Sequence, residues 1–150
     1  ERVFYGLDFG YTNDPTALVK IGVKRQQIYL KKEIYEPIES SSKLYPKLKQ
    51  IVGKDFHIWA DSAEGRGMIA TLRRDGLKIF AAKKFPGSIN YGLDIMKRYK
   101  INIVEDEDFR EEQENYKFRV VQGIQLNDPE DKFNRLWDAS RYGCMSELRK

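Results

Sequence analysis

The chain of 150 residues has few of the side chains on which many sites depend. It contains one cysteine, Cys144, and one histidine, His57. A single cysteine cannot close an internal disulfide, and no cysteine–histidine cluster is available to bind zinc. We therefore expect a reducing compartment and a chemistry without a cysteine or histidine nucleophile. Cys144 is expected to pack within a helix, and His57 to be a packed or surface residue in a strand.

Long apolar runs are also lacking. None approaches the roughly 20 residues of a membrane span, and no signal peptide opens the chain. The sequence begins with Glu1 rather than Met, so we expect a domain cut from a longer protein. Hydrophobic residues make up 41% of the chain, which supports a core, and the net charge of +4 favours a polyanionic partner. We expect one domain over residues 1–150, no membrane contact, and a monomer in isolation.

Alternation of apolar residues and turn signals predicts most of the secondary structure. Three strands open the chain, and their short connections favour an antiparallel meander. Strand–helix alternation follows. The predicted strands cover residues 3–10, 16–23, 28–35, 56–60, 77–82 and 101–104. The predicted helices cover residues 40–53, 61–76, 88–99, 106–115 and 129–148, with an extended segment at 116–121.

This order of elements predicts an α/β fold with a mixed sheet and helices on both faces. Ligands of such sheets gather at the carboxyl ends of the strands. Asp8 and Asp61 each end a predicted strand. If the fourth strand pairs parallel to the first, the two carboxylates are neighbours.

Each candidate acid also has a structural explanation. Asp8 lies in an apolar run, where a bare carboxylate would be costly, so it either accepts N–H groups from the following turn or binds a cation. Asp61 could cap the next helix through the Asp61-x-x-Glu64 pattern. Asp138 could form a surface ion pair with Arg141.

The spacing in the terminal helix favours a shared site. Asp131, Arg135 and Asp138 are about one turn apart and so lie on one stripe. If that stripe packs over the strand ends, three carboxylates meet and repel one another. Oxygen ligands suit Mg²⁺ or Mn²⁺, and two such ions about 3.5–4 Å apart can clamp a phosphodiester for hydrolysis.

Four short motifs carry a family resemblance through their order and spacing. They are Gly6-Leu7-Asp8-Phe9-Gly10-Tyr11 with Asp14-Pro15-Thr16-Ala17, then Ala60-Asp61-Ser62-Ala63-Glu64, then Lys83-Lys84-Phe85-Pro86-Gly87-Ser88-Ile89, and Asp138-Ala139-Ser140-Arg141-Tyr142. With them the chain resembles the carboxyl-terminal nuclease domain of tailed-bacteriophage terminase large subunits. The resemblance implies an RNase H-like three-layer fold. It also implies that Asp8, Asp61 and Asp138 are the catalytic, metal-binding carboxylates, with Asp131 as a further ligand.

The resemblance implies a metal-dependent endonuclease that cuts double-stranded DNA concatemers during genome packaging, in the cytoplasm of the infected bacterium. The chain lacks the GxxxxGK[ST] loop, so the packaging ATPase is expected elsewhere in the full-length chain. The portal and the small terminase subunit are the other implied partners. Many relatives carry His three positions before the last Asp, where this chain has Arg135. A guanidinium can hold a phosphate or neutralise the acids but cannot bind a metal.

DNA contacts are expected from basic and polar side chains around the acids. Lys83 and Lys84 lie in a loop where they could hold backbone phosphates, although an ordinary solvated loop explains them too. Three further candidates complete the set. They are Ser88, Arg66 and Arg135.

Other functions remain open on the sequence alone. The segment 6–13 also looks like the first phosphate loop of actin-like and sugar-kinase ATPases, although 150 residues leave no room for their two lobes. A junction resolvase or another RNase H-like nuclease is a second alternative. A non-catalytic DNA-binding module is a third.

Overall fold

The structure is a computed structural model that describes residues 1–10, 13–61, 66–121 and 134–149. Its strands are β1 (Arg2–Asp8), β2 (Thr16–Lys24), β3 (Gln27–Glu36), β4 (Ile58–Asp61), β5 (Ile79–Ala82) and β6 (Lys100–Ile103). Its helices are α1 (Ser41–Ile51), α2 (Arg66–Arg74), α3 (Ser88–Met96), α4 (Glu107–Val121) and α5 (Arg135–Glu147). The alternating and helical patterns of the sequence thus produce the predicted classes of element in the predicted order.

The six strands form one mixed sheet in the order β5-β4-β1-β2-β3-β6. Strands β1, β2 and β3 form the predicted antiparallel meander. Strand β4 pairs parallel to β1, with Leu7 opposite Ala60, and β5 pairs parallel to β4. Since Asp8 and Asp61 are the next residues of these two strands, the predicted adjacency of their strand ends is confirmed.

Helices cover both faces of the sheet, which confirms the three-layer α/β architecture. Side chains alternate across a strand, so Phe4 of β1 packs on the side of α3, α4 and α5, whereas Tyr5 and Leu7 pack on the side of α1 and α2. Asp8 follows Phe4 by four positions. This even spacing assigns Asp8 to the α5 side of the sheet.

Helix α5 lies directly on β1 because glycines stand at the contact. A Cβ on Gly6 would lie 1.7 Å from the carbonyl oxygen of Ala139. A Cβ on Gly143 would lie 2.5 Å from the Ile21 side chain and 3.5 Å from the Gly6 nitrogen. Any side chain at Gly6 would therefore force the helix away from the strand.

One local prediction is wrong and another is tested only in part. The predicted extended segment 116–121 is wrong, because α4 continues to Val121. Extending an existing helix costs little, and the described strands offer these β-favouring residues no pairing partner. Helix α5 begins at Arg135, since its N-cap Asn134 has a non-helical backbone, and the predicted first turn at 129–133 lies outside the described residues.

Among the described residues, no helix has both the length and the apolar composition that crossing a membrane requires.

Candidate active site

Three carboxylates from distant parts of the chain gather at one end of the sheet. Asp8 ends β1 and is 7% exposed, and Asp61 ends β4 and is 6% exposed. Asp138 lies in the first turn of α5, with 19% of its side chain exposed. The strand ends present the first two acids, and the close contact of α5 with β1 brings the third over them.

The electrostatics show that the three acids are mutual neighbours. Burial raises the pKa of Asp8 well above its usual value, and the charges of Asp138 and Asp61 raise it further. Burial also raises the pKa of Asp138, and Asp61 adds to this shift. Carboxylates at this end of the sheet are therefore costly to ionise together.

Each acid is also paired with a basic side chain. Lys84 Nζ lies 2.9 Å from Asp61 Oδ1. Arg141 Nη2 donates to Asp138 Oδ1 at 3.1 Å, which makes the expected Asp138–Arg141 pair real but buried, since only 4% of the Arg141 side chain is exposed. In the described part of the chain, no group of three or more His, Cys, Asp or Glu is arranged to hold a metal ion.

The donor set nevertheless fits a hard divalent cation. It consists of buried carboxylate oxygens from three elements whose repulsion is met by positive charge. Such oxygens are the ligands that Mg²⁺ and Mn²⁺ prefer. A cation that enters this cluster has to take over the role that the ammonium of Lys84 fills at Asp61.

Arg135 bridges the acid cluster and the loop after β1. Its Nη1 lies 3.9 Å from Asp8 Oδ2, and its Nη2 lies 3.2 Å from Asp14 Oδ2. Its buried Nε has no hydrogen-bond partner among the described residues. Arg135 thus neutralises part of the cluster and keeps one buried donor available.

Glu112 of α4 supports the site and was not singled out by the sequence patterns. It is 1% exposed and accepts hydrogen bonds from the backbone N–H of Leu136 at 2.9 Å and of Trp137 at 3.2 Å. It thereby caps the first turn of the helix that carries Asp138, for which Asn134 provides no side-chain cap. Burial raises the pKa of Glu112 to about 8, against the lowering effect of those two N–H groups. Its only sequence signal is a position one turn after the buried Phe109.

The predicted DNA contacts have different surroundings. Lys83 is exposed and lines a surface pocket together with Trp59, Phe85, Tyr91 and Arg149. Ser88 is only 8% exposed at the start of α3. The side chain of Arg66 and the whole of Asp131 lie outside the described residues. These assignments therefore stay predictions.

The two rare side chains do not join the acid cluster. His57 Nδ1 lies 2.5 Å from Glu147 Oε1, at the opposite end of α5 from Asp138, with 47% of its side chain exposed. Cys144 is fully buried, and burial raises the pKa of its thiol to about 12. Both placements agree with the packing roles expected from the sequence.

Solved structures of viral nucleases share this fold. The nuclease domain of the large terminase (g2p) of bacteriophage SPP1, solved with bound Mn, matches with a TM-score of 0.72 and 26% identity over 97% of this chain and 86% of that domain. The large terminase of a thermophilic bacteriophage, solved in complex with ATP-γ-S, matches with a TM-score of 0.70 and 19% identity over 97% of this chain and 40% of that protein. The fold is therefore that of the RNase H-like nuclease domains of large terminases.

The chain belongs to the terminase RNase H-like domain family, whose model matches residues 8–143. It is 29% identical over 157 residues to the terminase large subunit of Bacillus phage SPP1. That match covers 100% of this chain and 37% of the relative, so the chain spans little more than a third of the relative's length. The resemblance seen in the four sequence motifs is confirmed.

Proposed function

We propose that this domain is a metal-dependent endonuclease that cuts double-stranded DNA concatemers during phage genome packaging. The observation that carries the proposal is the meeting of Asp8, Asp61 and Asp138 at one end of the sheet, where burial and mutual repulsion raise the pKa of Asp8. Membership of the terminase family supports DNA as the substrate. A divalent ion would relieve the repulsion among these carboxylates.

The residues of this chain would divide the work between metal and DNA. Asp8, Asp61 and Asp138 would hold Mg²⁺ or Mn²⁺, with Asp131 as a further ligand. Two bound ions would activate water and stabilise the charge that develops on the phosphodiester. The SPP1 nuclease domain, solved with bound Mn, supports this metal class. Arg135, which keeps a buried donor at the cluster, would hold a phosphate oxygen, and Lys83, Lys84, Ser88 and Arg66 would contact the DNA backbone.

The partners follow from the family. We propose that residues 1–150 are a single nuclease domain of a longer chain whose other part contains the packaging ATPase. The length of the SPP1 relative and the ATP-γ-S complex of the thermophilic phage terminase support this arrangement. The portal and the small terminase subunit would be its partners in the cytoplasm of the infected bacterium. In isolation the domain would be a monomer.

Nicking of supercoiled plasmid with Mg²⁺ or Mn²⁺ tests the function. We expect the parent chain to nick the plasmid, and Asp61→Asn to lower the rate by about 10³-fold or more, because the ion loses a ligand. The fold should persist, as judged by circular dichroism. The matched control is Asp55→Asn, which changes an exposed acid before β4 and should leave the rate unchanged.

The outcomes separate the alternatives. Cutting by Asp61→Asn at the parent rate would contradict the metal-site assignment. DNA binding without cutting under either metal would favour a non-catalytic module. Selective cutting of four-way junctions over linear duplex would favour a resolvase.

A further inference from the structure

We infer that the ammonium of Lys84 is an exchangeable cation of the acid cluster: it occupies the place of a divalent ion at Asp61, leaves when that ion binds, and then becomes available to a DNA phosphate. The inference rests on the proposed function, because it assigns a role to one residue of that site. It differs from a plain DNA contact because the two roles of Lys84 exclude each other in time.

The first observation is the position of the charge. Lys84 Nζ lies 2.9 Å from Asp61 Oδ1, and 5.9 Å from the centre of the Tyr142 ring on α5. Its charge also acts on the other two acids, since it opposes the rise that burial causes in the pKa of Asp8 and of Asp138. The one ammonium group therefore offsets the negative charge of all three carboxylates, as a bound metal ion would.

The second observation is that Lys84 is the cation best able to leave. Its side chain is 42% exposed, and it belongs to the connection between β5 and α3 rather than to a helix or strand. Arg141 is 4% exposed and its side chain fills the space beside Gly92, where a Cβ would lie 2.6 Å from Arg141 Cγ. Arg135 is 14% exposed and is shared between Asp8 and Asp14. Displacing either arginine would break buried contacts, whereas the Lys84 side chain can change its conformation and become fully solvated.

The third observation concerns where the freed side chain would go. Lys84 is followed by Phe85 and preceded by the exposed Lys83, which lines a surface pocket with Arg149. A released Lys84 would thus add a second mobile charge next to Lys83. Phosphates of a duplex approaching the acids would meet this pair. Metal binding and DNA binding are therefore coupled through one side chain.

Metal affinity tests the exchange without measuring cleavage. Mn²⁺ is titrated into the 150-residue chain by calorimetry, with free Mn²⁺ followed by electron paramagnetic resonance. Lys84→Met, which keeps the length of the side chain without its charge, should bind Mn²⁺ about tenfold more tightly, since the ion no longer has to break a charge-assisted hydrogen bond. Lys78→Met, at an exposed lysine just before β5, is the matched control and should bind Mn²⁺ like the parent. Equal or weaker binding by Lys84→Met would overturn the inference.

DNA affinity tests the release. Ca²⁺ is used in place of Mn²⁺, and a labelled duplex is titrated at several salt concentrations. Without metal, Lys84→Met and the parent should bind alike, because Lys84 is held by Asp61. With Ca²⁺, the parent should show a salt slope steeper by about one unit than Lys84→Met. A slope difference that is the same with and without Ca²⁺ would overturn the coupling.

The two proposals fail differently. If the plasmid is cut in an Asp61-dependent way but Lys84→Met binds Mn²⁺ like the parent, the exchange is wrong and the nuclease stands. If Lys84→Met shows the tighter Mn²⁺ binding and the Ca²⁺-dependent slope but the parent cuts no DNA, the exchange stands and the nuclease function is wrong.

Discussion

The acids at the two ends of the contact between β1 and α5 have opposite surroundings, and their pKa values shift in opposite directions. At one end, Asp8 and Asp138 face further acids, and the pKa of each is raised by burial and by neighbouring carboxylates. At the other end, Glu147 has 9% of its side chain exposed and is surrounded by donors. Trp59 Nε1 donates to it at 2.9 Å, and Arg2 and His57 pair with it.

The pKa of Glu147 reflects these donors. Burial alone would raise it, but the hydrogen bonds from Trp59 and His57 and the charge of Arg2 outweigh burial and lower it. Glu147 thus has several donors and positive charges around it, as a structural acid does. Asp8, Asp61 and Asp138 repel one another, as acids of a functional site often do. Helix α5 carries both kinds, Asp138 near its start and Glu147 at its end. This difference supports the proposal that the acid cluster is the functional end.

The largest effect should come from separating the two elements that bring Asp138 to Asp8. In Gly6→Ala, the new Cβ would lie 1.7 Å from the Ala139 carbonyl oxygen, so α5 must move off β1. We expect a loss of at least about 3 kcal/mol in the free energy of unfolding, measured with urea. Gly22→Ala is the matched control on β2: its Cβ would meet only Tyr29 Cβ, at 4.0 Å, and stability should change by less than about 1 kcal/mol. Equal stability of the two variants would show that the close contact is not required.

A smaller effect is expected at the cap that holds the Asp138 end of the helix. Glu112→Ala leaves the N–H groups of Leu136 and Trp137 buried without their acceptor and should cost about 2–4 kcal/mol in urea unfolding. Glu112→Gln keeps a carbonyl acceptor and should lose less than half of this. Glu114→Ala, an exposed change on the same helix, should be nearly neutral. If Glu112→Ala matched Glu114→Ala, the cap would contribute nothing to the position of α5.

The smallest effects test the contrast itself through pH. The raised pKa of Asp8 means that its contribution to stability is complete below pH 3.8 and is lost as pH rises through the folded-state value. Asp8→Asn should therefore gain stability relative to the parent, by about 1 kcal/mol, between pH 4 and 8 in EDTA.

Glu147 should behave in the opposite sense. Its lowered pKa means that its contribution is present above pH 4.5 and is lost as pH falls through the folded-state value. Glu147→Gln should lose about 1–3 kcal/mol at neutral pH and approach the parent in acid, while plasmid nicking is unchanged. Relative stabilities of Asp8→Asn and Glu147→Gln that change in the same direction with pH would remove the distinction between the two ends.

Much of the fold could be predicted because its signals are local. Residue alternation identified the strands of the meander, and the position of Asp8 and Asp61 at strand ends followed from the element order. The length of α4 could not be predicted in this way, because its last residues favour strands and only their tertiary surroundings decide between helix and strand. Local patterns also gave no sign that Glu112, within the predicted helix 106–115, is buried.

The features of the site also divide into those that local sequence signals predict and those that depend on tertiary contacts. By itself, the sequence determined the class of fold and the family, because motif order and apolar periodicity are properties of neighbouring residues. The catalytic role of the three acids stays a prediction. Only the tertiary structure decided that Glu112 caps the helix of Asp138, that Glu147 is a structural acid, and that Lys84 pairs with Asp61. These pairings join residues 23 to 145 positions apart. The pairings of Glu147 on α5 with Arg2 of β1 and Trp59 of β4 also need α5 to lie close to β1, which Gly6 and Gly143 permit. No pattern within a single helix or strand encodes such contacts.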